Sequence, residues 1–360
     1  MKNQVKINKV LKPFNTKIKV NSDKSWSIRA VLLASIATGK SKITDLLEAE
    51  DVLSSLKHIK KLGVNFIKKK NYFEIHGVGI NGFKLKKNLV LDAGNSGTLA
   101  RCILGLCSAY ENKIKLIGDE SLSRRDFSRV IKPLNLFGVN IKSKNNKLPL
   151  YLNGSRLLRP IDYLELKGSA QIKTCIILSA LNTPGITKIK ARKSRNHTEL
   201  LLKYLKYPIR INKKKNYDLI SITGLKQFKS FEYKVPGDMI SAAFFIVLTL
   251  LSEKSELIIK NINLNPSRTG IIKILKKMRA KIWIQNKKNY NGEIIGDIKI
   301  KSTKKFDSIN CPQNLNSSMI DEFLLIFLVA AKSKGISSFK KLGELNRKES
   351  PRLNIAIKFL

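Results

Sequence analysis

One pattern recurs four times along the chain: an amphipathic helical stretch, a tight turn, an apolar strand, a Lys/Asn-rich turn and a second strand. It reads SSLKHIKKLGVNFIKKKNYFEIHGVG at 54–79 and SRVIKPLNLFGVNIKSKNNKLPLYLNG at 128–154. It returns as HTELLLKYLKYPIRINKKKNYDLISITG at 197–224 and RTGIIKILKKMRAKIWIQNKKNYNGEIIGDIKI at 268–300. The position that ends each helix falls at Gly63, Gly138, Lys206 and Arg279, with spacings of 75, 68 and 73 residues. Repeats of this kind are supersecondary units that bury their apolar faces against one another. Glycine is favoured just past a helix end because it accepts a left-handed backbone, so Lys206 and Arg279 are expected to hold that conformation under some strain. The strands alternate apolar and polar residues, as half-buried antiparallel pairs do. Apolar helical segments lie between the repeats at Ser27–Thr38, Ala170–Leu181 and Ser241–Leu251, so each unit is mixed α/β with two helices. A fifth copy begins at SPRLNIAIKFL (350–360) and supplies its helix before residue 360, which makes the sequence read as truncated against its own pattern.

The chain has 360 residues and a formal net charge of +43, from 69 Lys plus Arg against 26 Asp plus Glu. That length accommodates roughly two domains of ~150 residues. The surplus invites a nucleic-acid reading, because clustered cations attract phosphate backbones. Its placement argues otherwise: runs at Lys68–Lys70, Lys142–Lys147, Lys213–Lys215 and Lys287–Lys288 all fall between paired strands and read as solvated hairpin tips. No recognised nucleic-acid motif or aromatic stacking pattern accompanies them. The longest uncharged apolar stretch, Met239 to Ser252, falls short of the ~20 residues of a membrane span, and the start MKNQVKINKV has no apolar leader core. A soluble cytoplasmic protein without nucleic-acid or membrane partners is expected. Cys102, Cys107, Cys175 and Cys311 lie in apolar surroundings without metal spacing, so buried free thiols are expected, with no disulfide and no metal.

The 14 arginines are more informative than the 55 lysines, since the guanidinium fork grips carboxylate or phosphate in two places. KSWSIRA (24–30) sets Lys24, Ser25 and Arg29 at a helix start, with residues 25 and 29 on one face. GNSGTLAR (94–101) puts small residues before another apolar helix, where backbone amides can approach a ligand. GDESLSRRDFSR (118–129) carries Arg124, Arg125 and Arg129 beside three acids, and salt bridging competes with ligand binding there. KGSAQIKT (167–174) and KSRNHTELL (193–201) offer Ser169, Gln171, Ser194 and Arg195 as donors, with His197 read as a capping residue rather than a base. In SSMIDEFLL (317–325) adjacent Asp321 and Glu322 enter an apolar helix, and at most one faces a buried site, where desolvation suits it to base chemistry. ELNRKESPRL (344–353) sets Glu349 between Lys348 and Arg352.

Taken in order, DKSWSIRA, LDAGNSGT, GDESLSRR, SAQIK, SRNHTE, VPGDMISAAFF, NPSRTG, SSMIDE and RKES resemble the 5-enolpyruvylshikimate-3-phosphate synthase family from about Lys17 to the last residue. The resemblance implies a two-domain α/β (α+β) enolpyruvyl transferase fold of repeated βαβαββ units, with the active site in the interdomain cleft and the last units incomplete. One domain would span 21–236. The other would combine 1–20 with 237–360. The implied activity is transfer of the enolpyruvyl group from phosphoenolpyruvate to the 5-hydroxyl of 3-phosphoshikimate, releasing phosphate, in aromatic amino acid biosynthesis, by a monomer without cofactors.

Carried over residue by residue, Lys24, Arg125, Gln171 and Arg352, with the backbone around Gly97, resemble the phosphoenolpyruvate pocket. Lys24, Ser25, Arg29, Ser169, Ala170, Gln171, Arg195, Asp321 and Lys348 resemble the 3-phosphoshikimate ligands. Asp321 would take the proton from the 5-hydroxyl and Glu349 would give one to the methylene carbon, with Lys24 also catalytic. Glyphosate competes for the phosphoenolpyruvate pocket in this family, and Gly97 leaves room for it.

Departures from the family pattern set further expectations. An Arg in a DHR motif and a Lys near the C-terminus, which also grip phosphoenolpyruvate in the family, have no counterpart within the 360 residues. Two charged contacts at about 1.5–3 kcal/mol each would cost roughly 10²–10⁴ in affinity, so weak phosphoenolpyruvate binding, or a non-catalytic remnant, is expected. Pro351 replaces the usual Asp after KES and restricts the backbone beside Glu349, and Asp126 replaces the usual Pro. The related UDP-N-acetylglucosamine enolpyruvyl transferase is the enzymatic rival. It relies on a loop cysteine, whereas Cys102 and Cys107 sit in an apolar helical stretch here.

Overall fold

A computed structural model describes residues 12–347 and 350–359. They group into two compact units, the first made of Asn21–Pro236 with Asn289–Ile294, the second of the residues up to Val20 with Gly237–Lys288 and Ile295–Leu360. Strand β1 (Asn15–Ile18) belongs to the second unit, after which the chain enters the first. There it forms α1 (Lys24–Ser35), β2 (Thr38–Thr44), α2 (Glu50–Lys61), β3 (Asn65–Lys68) and β4 (Tyr72–Val78). The next copy runs β5 (Leu89–Asp92), α3 (Gly97–Leu106), β6 (Lys113–Ile117), the short α4 (Glu120–Ser123), α5 (Ser128–Phe137), β7 (Asn140–Lys142) and β8 (Leu150–Asn153). A third runs β9 (Asp162–Glu165), α6 (Ala170–Leu181), β10 (Ile186–Arg192), α7 (His197–Tyr204), β11 (Ile209–Lys213) and β12 (Tyr217–Thr223), and β13 (Glu232–Lys234) follows. The second unit continues with α8 (Met239–Leu251), β14 (Glu256–Asn263), α9 (Gly270–Lys277), β15 (Ile282–Tyr290) and β16 (Glu293–Lys301). A partial copy then gives β17 (Phe306–Asp307), α10 (Phe323–Ala330), β18 (Ser333–Lys334) and α11 (Arg352–Phe359).

The repetition is explicit in the sheets, whose strand orders are β13-β2-β4-β3, β5-β6-β8-β7, β9-β10-β12-β11 and β1-β14-β16-β15. In each, a parallel pair is extended by an antiparallel hairpin; the partial copy has only the parallel pair β17-β18. Two copies borrow their first strand from elsewhere in the chain. β13 lies parallel to β2 with Glu232 opposite Lys42, and β1 lies parallel to β14 with Asn15 opposite Glu256. The four helix-ending positions all adopt positive φ: Gly63 at 89°, Gly138 at 102°, Lys206 at 55° and Arg279 at 64°. The two non-glycine ends therefore hold the left-handed conformation expected of them.

Some boundaries differ from the sequence reading. Helix α1 starts at Lys24 because the Asp23 carboxylate caps it through Trp26 N–H, and it ends at Ser35, leaving Thr38 to open β2. Lys287 and Lys288 are exposed but lie inside β15, whose hairpin turns beyond Tyr290. Asp321 and Glu322 precede α10 rather than entering it, with Glu322 at the capping position and 1% exposed.

Helices α1, α3 and α6 are apolar nearly all round, and α3 packs against both of the others at the centre of the first unit. Gly105 lets α3 and α6 approach closely: a Cβ there would stand 2.2 Å from the carbonyl oxygen of Cys175. All four cysteines are buried and free. Among the described residues no helix is long and apolar enough to cross a membrane, and no group of side chains could hold a metal ion.

Candidate active site

The first unit gathers its polar motifs at the N-termini of α1, α3, α6 and α7. Each start is fixed locally. Ser96 caps α3 through Leu99 N–H, and Ser169 caps α6 through Ile172 N–H. Before α6, the buried Glu165 carboxylate accepts N–H bonds from Lys167, Gly168 and Ser169 at 2.9–3.2 Å, folding that loop around itself. Desolvation pushes the Glu165 carboxyl above its ordinary range, and the three N–H donors oppose the shift.

Side chains then tie these starts together. Arg29 is 3% exposed, and its Nε donates to Thr198 Oγ1 at 3.0 Å, its Nη1 to the Ser25 carbonyl at 2.8 Å and its Nη2 to Thr174 Oγ1 at 3.1 Å. Burial lowers its pKa, with Arg195 among the smaller contributors. Beneath this link, the buried pair Lys173 and Glu199 joins α6 to α7 at 2.6 Å. On the other side, Arg101 Nη1 donates to Gln171 Oε1 at 3.0 Å and to the Gly97 carbonyl at 3.0 Å. Gln171 Nε2 in turn donates to Thr98 Oγ1 at 3.0 Å. A Cβ on Gly97 would stand 2.8 Å from Arg101 Nη1 and 2.9 Å from Arg125 Nη1, which places Gly97 and Arg125 together. Arg125 Nη2 also donates to Asn95 Oδ1 at 3.2 Å. Burial first, and the guanidiniums of Arg125 and Arg129 next, lower Arg101 to about 10. It stays cationic at neutral pH, and crowded cations of this kind favour an anionic ligand.

Among the predicted residues, the structure thus links Ser25 and Arg29 on α1, Gly97 and Arg125 beside α3, and Gln171 on α6, with Ser169 and Ala170 opening the same helix. Arg195 lies in the loop before α7, where Ser194 Oγ is buried without a hydrogen-bond partner among the described residues. Lys24 is half exposed and pairs with Asp51 at 2.9 Å. Thr98, Arg101, Glu165, Thr174 and Thr198 were not picked out from the sequence. Their only trace there is position, one or two turns along the same helices or just before a cap.

In the second unit, Arg352 Nη1 donates to Asp321 Oδ1 at 3.0 Å, uniting two predicted residues 31 positions apart. The predicted Lys348 and Glu349 lie outside the described residues. Cys102 and Cys107 are 0% and 1% exposed, and burial raises both thiols, Cys107 to about 12. Neither can serve as a loop nucleophile.

A family model described as EPSP synthase (3-phosphoshikimate 1-carboxyvinyltransferase) matches residues 9–360. A curated 3-phosphoshikimate 1-carboxyvinyltransferase from Ruthia magnifica subsp. Calyptogena magnifica is 42% identical over 351 residues, covering 96% of this chain and 79% of its own. One from Zymomonas mobilis subsp. mobilis is 38% identical over 346 residues, 95% of this chain and 76% of its own. A solved EPSP synthase from Acinetobacter baumannii superposes with a TM-score of 0.84 at 34% identity, covering 96% of this chain and 78% of that one. The enolpyruvyl transferase NikO from Streptomyces tendae shares the fold, with a TM-score of 0.65 at 12% identity over 91% of this chain and 74% of that one.

Proposed function

The chain belongs to the EPSP synthase family, and from that premise we propose that it transfers the 1-carboxyvinyl group of phosphoenolpyruvate to the 5-hydroxyl of 3-phosphoshikimate. The observation that supports this best is a pair of hydrogen-bond networks, Arg29 with Thr174 and Thr198 and Arg101 with Gln171 and Gly97, which both anchor on α6 and bring cations and donors from four helix starts together. Two anionic substrates suit such a surface. In this reading Lys24, Ser25, Arg29, Ser169, Ala170, Gln171, Arg195, Asp321 and Lys348 take 3-phosphoshikimate. Lys24, Gly97, Arg125, Gln171 and Arg352 take phosphoenolpyruvate.

The chemistry is assigned on that reading. The 5-oxygen bonds to C2 of phosphoenolpyruvate as Asp321 removes its proton, while Glu349 protonates the methylene carbon. A proton from the resulting methyl group then returns to the Glu349 carboxylate as the C2–O bond to phosphate breaks, which releases phosphate and restores the vinyl group. The contact with Arg352 Nη1 at 3.0 Å orients the Asp321 carboxylate, and the cations neutralise the departing phosphate. The same reading describes a monomeric cytoplasmic enzyme without a cofactor.

The test is phosphate release from phosphoenolpyruvate plus 3-phosphoshikimate, paired with calorimetric binding of 3-phosphoshikimate alone. Turnover in the wild type, lost at least ~10²-fold in Asp321→Asn with a much smaller loss of 3-phosphoshikimate affinity, is expected. Absence of turnover in the wild type would overturn the proposal, and binding of 3-phosphoshikimate without turnover would favour the non-catalytic remnant.

A further inference from the structure

Glu293 opens β16 just past the turn of the β15–β16 hairpin, and its carboxylate is wholly buried in the first unit. Oε1 accepts from Trp26 Nε1 at 3.0 Å and from His197 Nδ1 at 2.6 Å, and both of those residues are 0–1% exposed. The Trp26 ring stacks on Tyr233 at 4.5 Å and tilts against His197 at 5.7 Å. The tip is also held independently of Glu293: Tyr290 packs edge-on to Tyr233, its hydroxyl accepts from Lys234 N–H at 3.2 Å, and Asn291 Nδ2 donates to the Glu232 carbonyl at 3.3 Å.

We propose that Glu293 is a positioning residue for 3-phosphoshikimate, an inference that rests on the functional reading above. Its two partners stand next to residues assigned to that substrate. Trp26 follows Lys24 and Ser25 in the first turn of α1, and His197 opens α7 two residues after Arg195. The α1 and α7 starts are joined directly by Arg29 and Thr198, and joined a second time through this carboxylate. Two ties fix both the spacing and the rotation of the two ligand-bearing segments, whereas one leaves a pivot. Burying a carboxylate for stability alone gains little, since well-packed apolar groups commonly do as well; here it accepts from one donor on each of the two segments, Trp26 and His197, which ties their relative placement.

The test uses the full chain and 3-phosphoshikimate itself. Glu293→Gln keeps the shape and removes the charge, and Trp26→Phe keeps an aromatic ring and removes the N–H. Calorimetry is expected to give a 3-phosphoshikimate Kd at least tenfold weaker in both variants. In a Trp283→Phe background, Trp26 emission is expected to respond to 3-phosphoshikimate, and Glu293→Gln is expected to abolish that response. Should Glu293→Gln fail to fold, Trp26→Phe decides. Wild-type affinity in the variants, even with a lowered Tm, would reduce the cluster to a structural contact and overturn the inference alone. A wild type that binds no 3-phosphoshikimate would overturn the functional reading and this inference together.

Discussion

Arg101 holds Gln171: its Nη1 donates to the amide oxygen at 3.0 Å while also binding the Gly97 carbonyl, so one guanidinium sets the start of α3 and the aim of a side chain on α6. Replacing it by Leu frees the Gln171 amide to rotate. A hydrogen bond to a charged group contributes about 1.5–3 kcal/mol, so the KM for phosphoenolpyruvate should rise roughly 10- to 100-fold. Steady-state kinetics with each substrate varied in turn checks this; because Gln171 is assigned to both substrates the KM for 3-phosphoshikimate should rise as well, and unchanged KM values for both would show that Arg101 does not aim Gln171.

Gly97→Ala places a methyl group within 2.9 Å of both Arg101 Nη1 and Arg125 Nη1. These are the far ends of flexible side chains, so the fold should tolerate the change with little loss of Tm while the guanidiniums move aside. The expected result is a higher KM for phosphoenolpyruvate and weaker inhibition by glyphosate. Unchanged inhibition in an active enzyme would mean that Gly97 does not face that pocket.

His58 provides a pH signature. It is 2% exposed, its Nδ1 faces the Ser54 carbonyl at 2.8 Å, and burial, aided by Lys61, lowers its pKa to about 4. The unfolded chain takes up the proton near pH 6.5, so stability present above that value is lost progressively as pH falls toward 4. The loss is on the order of 3 kcal/mol for a shift of that size. Urea midpoints measured from pH 7 to 4.5 should fall less steeply in His58→Gln than in the wild type; parallel curves would show that His58 does not contribute.

Gly105→Ala should damage the centre of the first unit. The new methyl carbon would meet the Cys175 carbonyl, which is rigid helix backbone, so α3 and α6 must separate. Overpacking of this kind costs about 1–3 kcal/mol, corresponding to a Tm lowered by roughly 2–12 °C. A calorimetric scan with an unchanged Tm would mean that the helices part without penalty.

The repeat was legible in the sequence because period, alternation and helix ends leave local traces; even the left-handed Lys206 and Arg279 could be located by counting from Gly63 and Gly138. The residues proposed to bind the substrates stand out in the sequence as short motifs. Their supports do not. Arg101 has no pattern that distinguishes it from any helical arginine, and Glu293 meets Trp26 from 267 residues away, a pairing that no spacing encodes. The Asp321–Glu322 pair was placed inside a helix because apolar residues surround it, whereas Glu322 takes the capping position and α10 begins one residue later.

The borrowed strand of the first copy also sets a timetable. Glu232 of β13 pairs beside Lys42 of β2, 190 residues earlier in the chain. At about 5–20 residues per second on the ribosome, β2 emerges with an open edge some 10–40 s before its partner exists. Exposed edges recruit other strands. The nascent chain therefore has to be kept apart from its neighbours for that interval, and ribosome-associated chaperones should matter more for the yield of this protein than its final stability does.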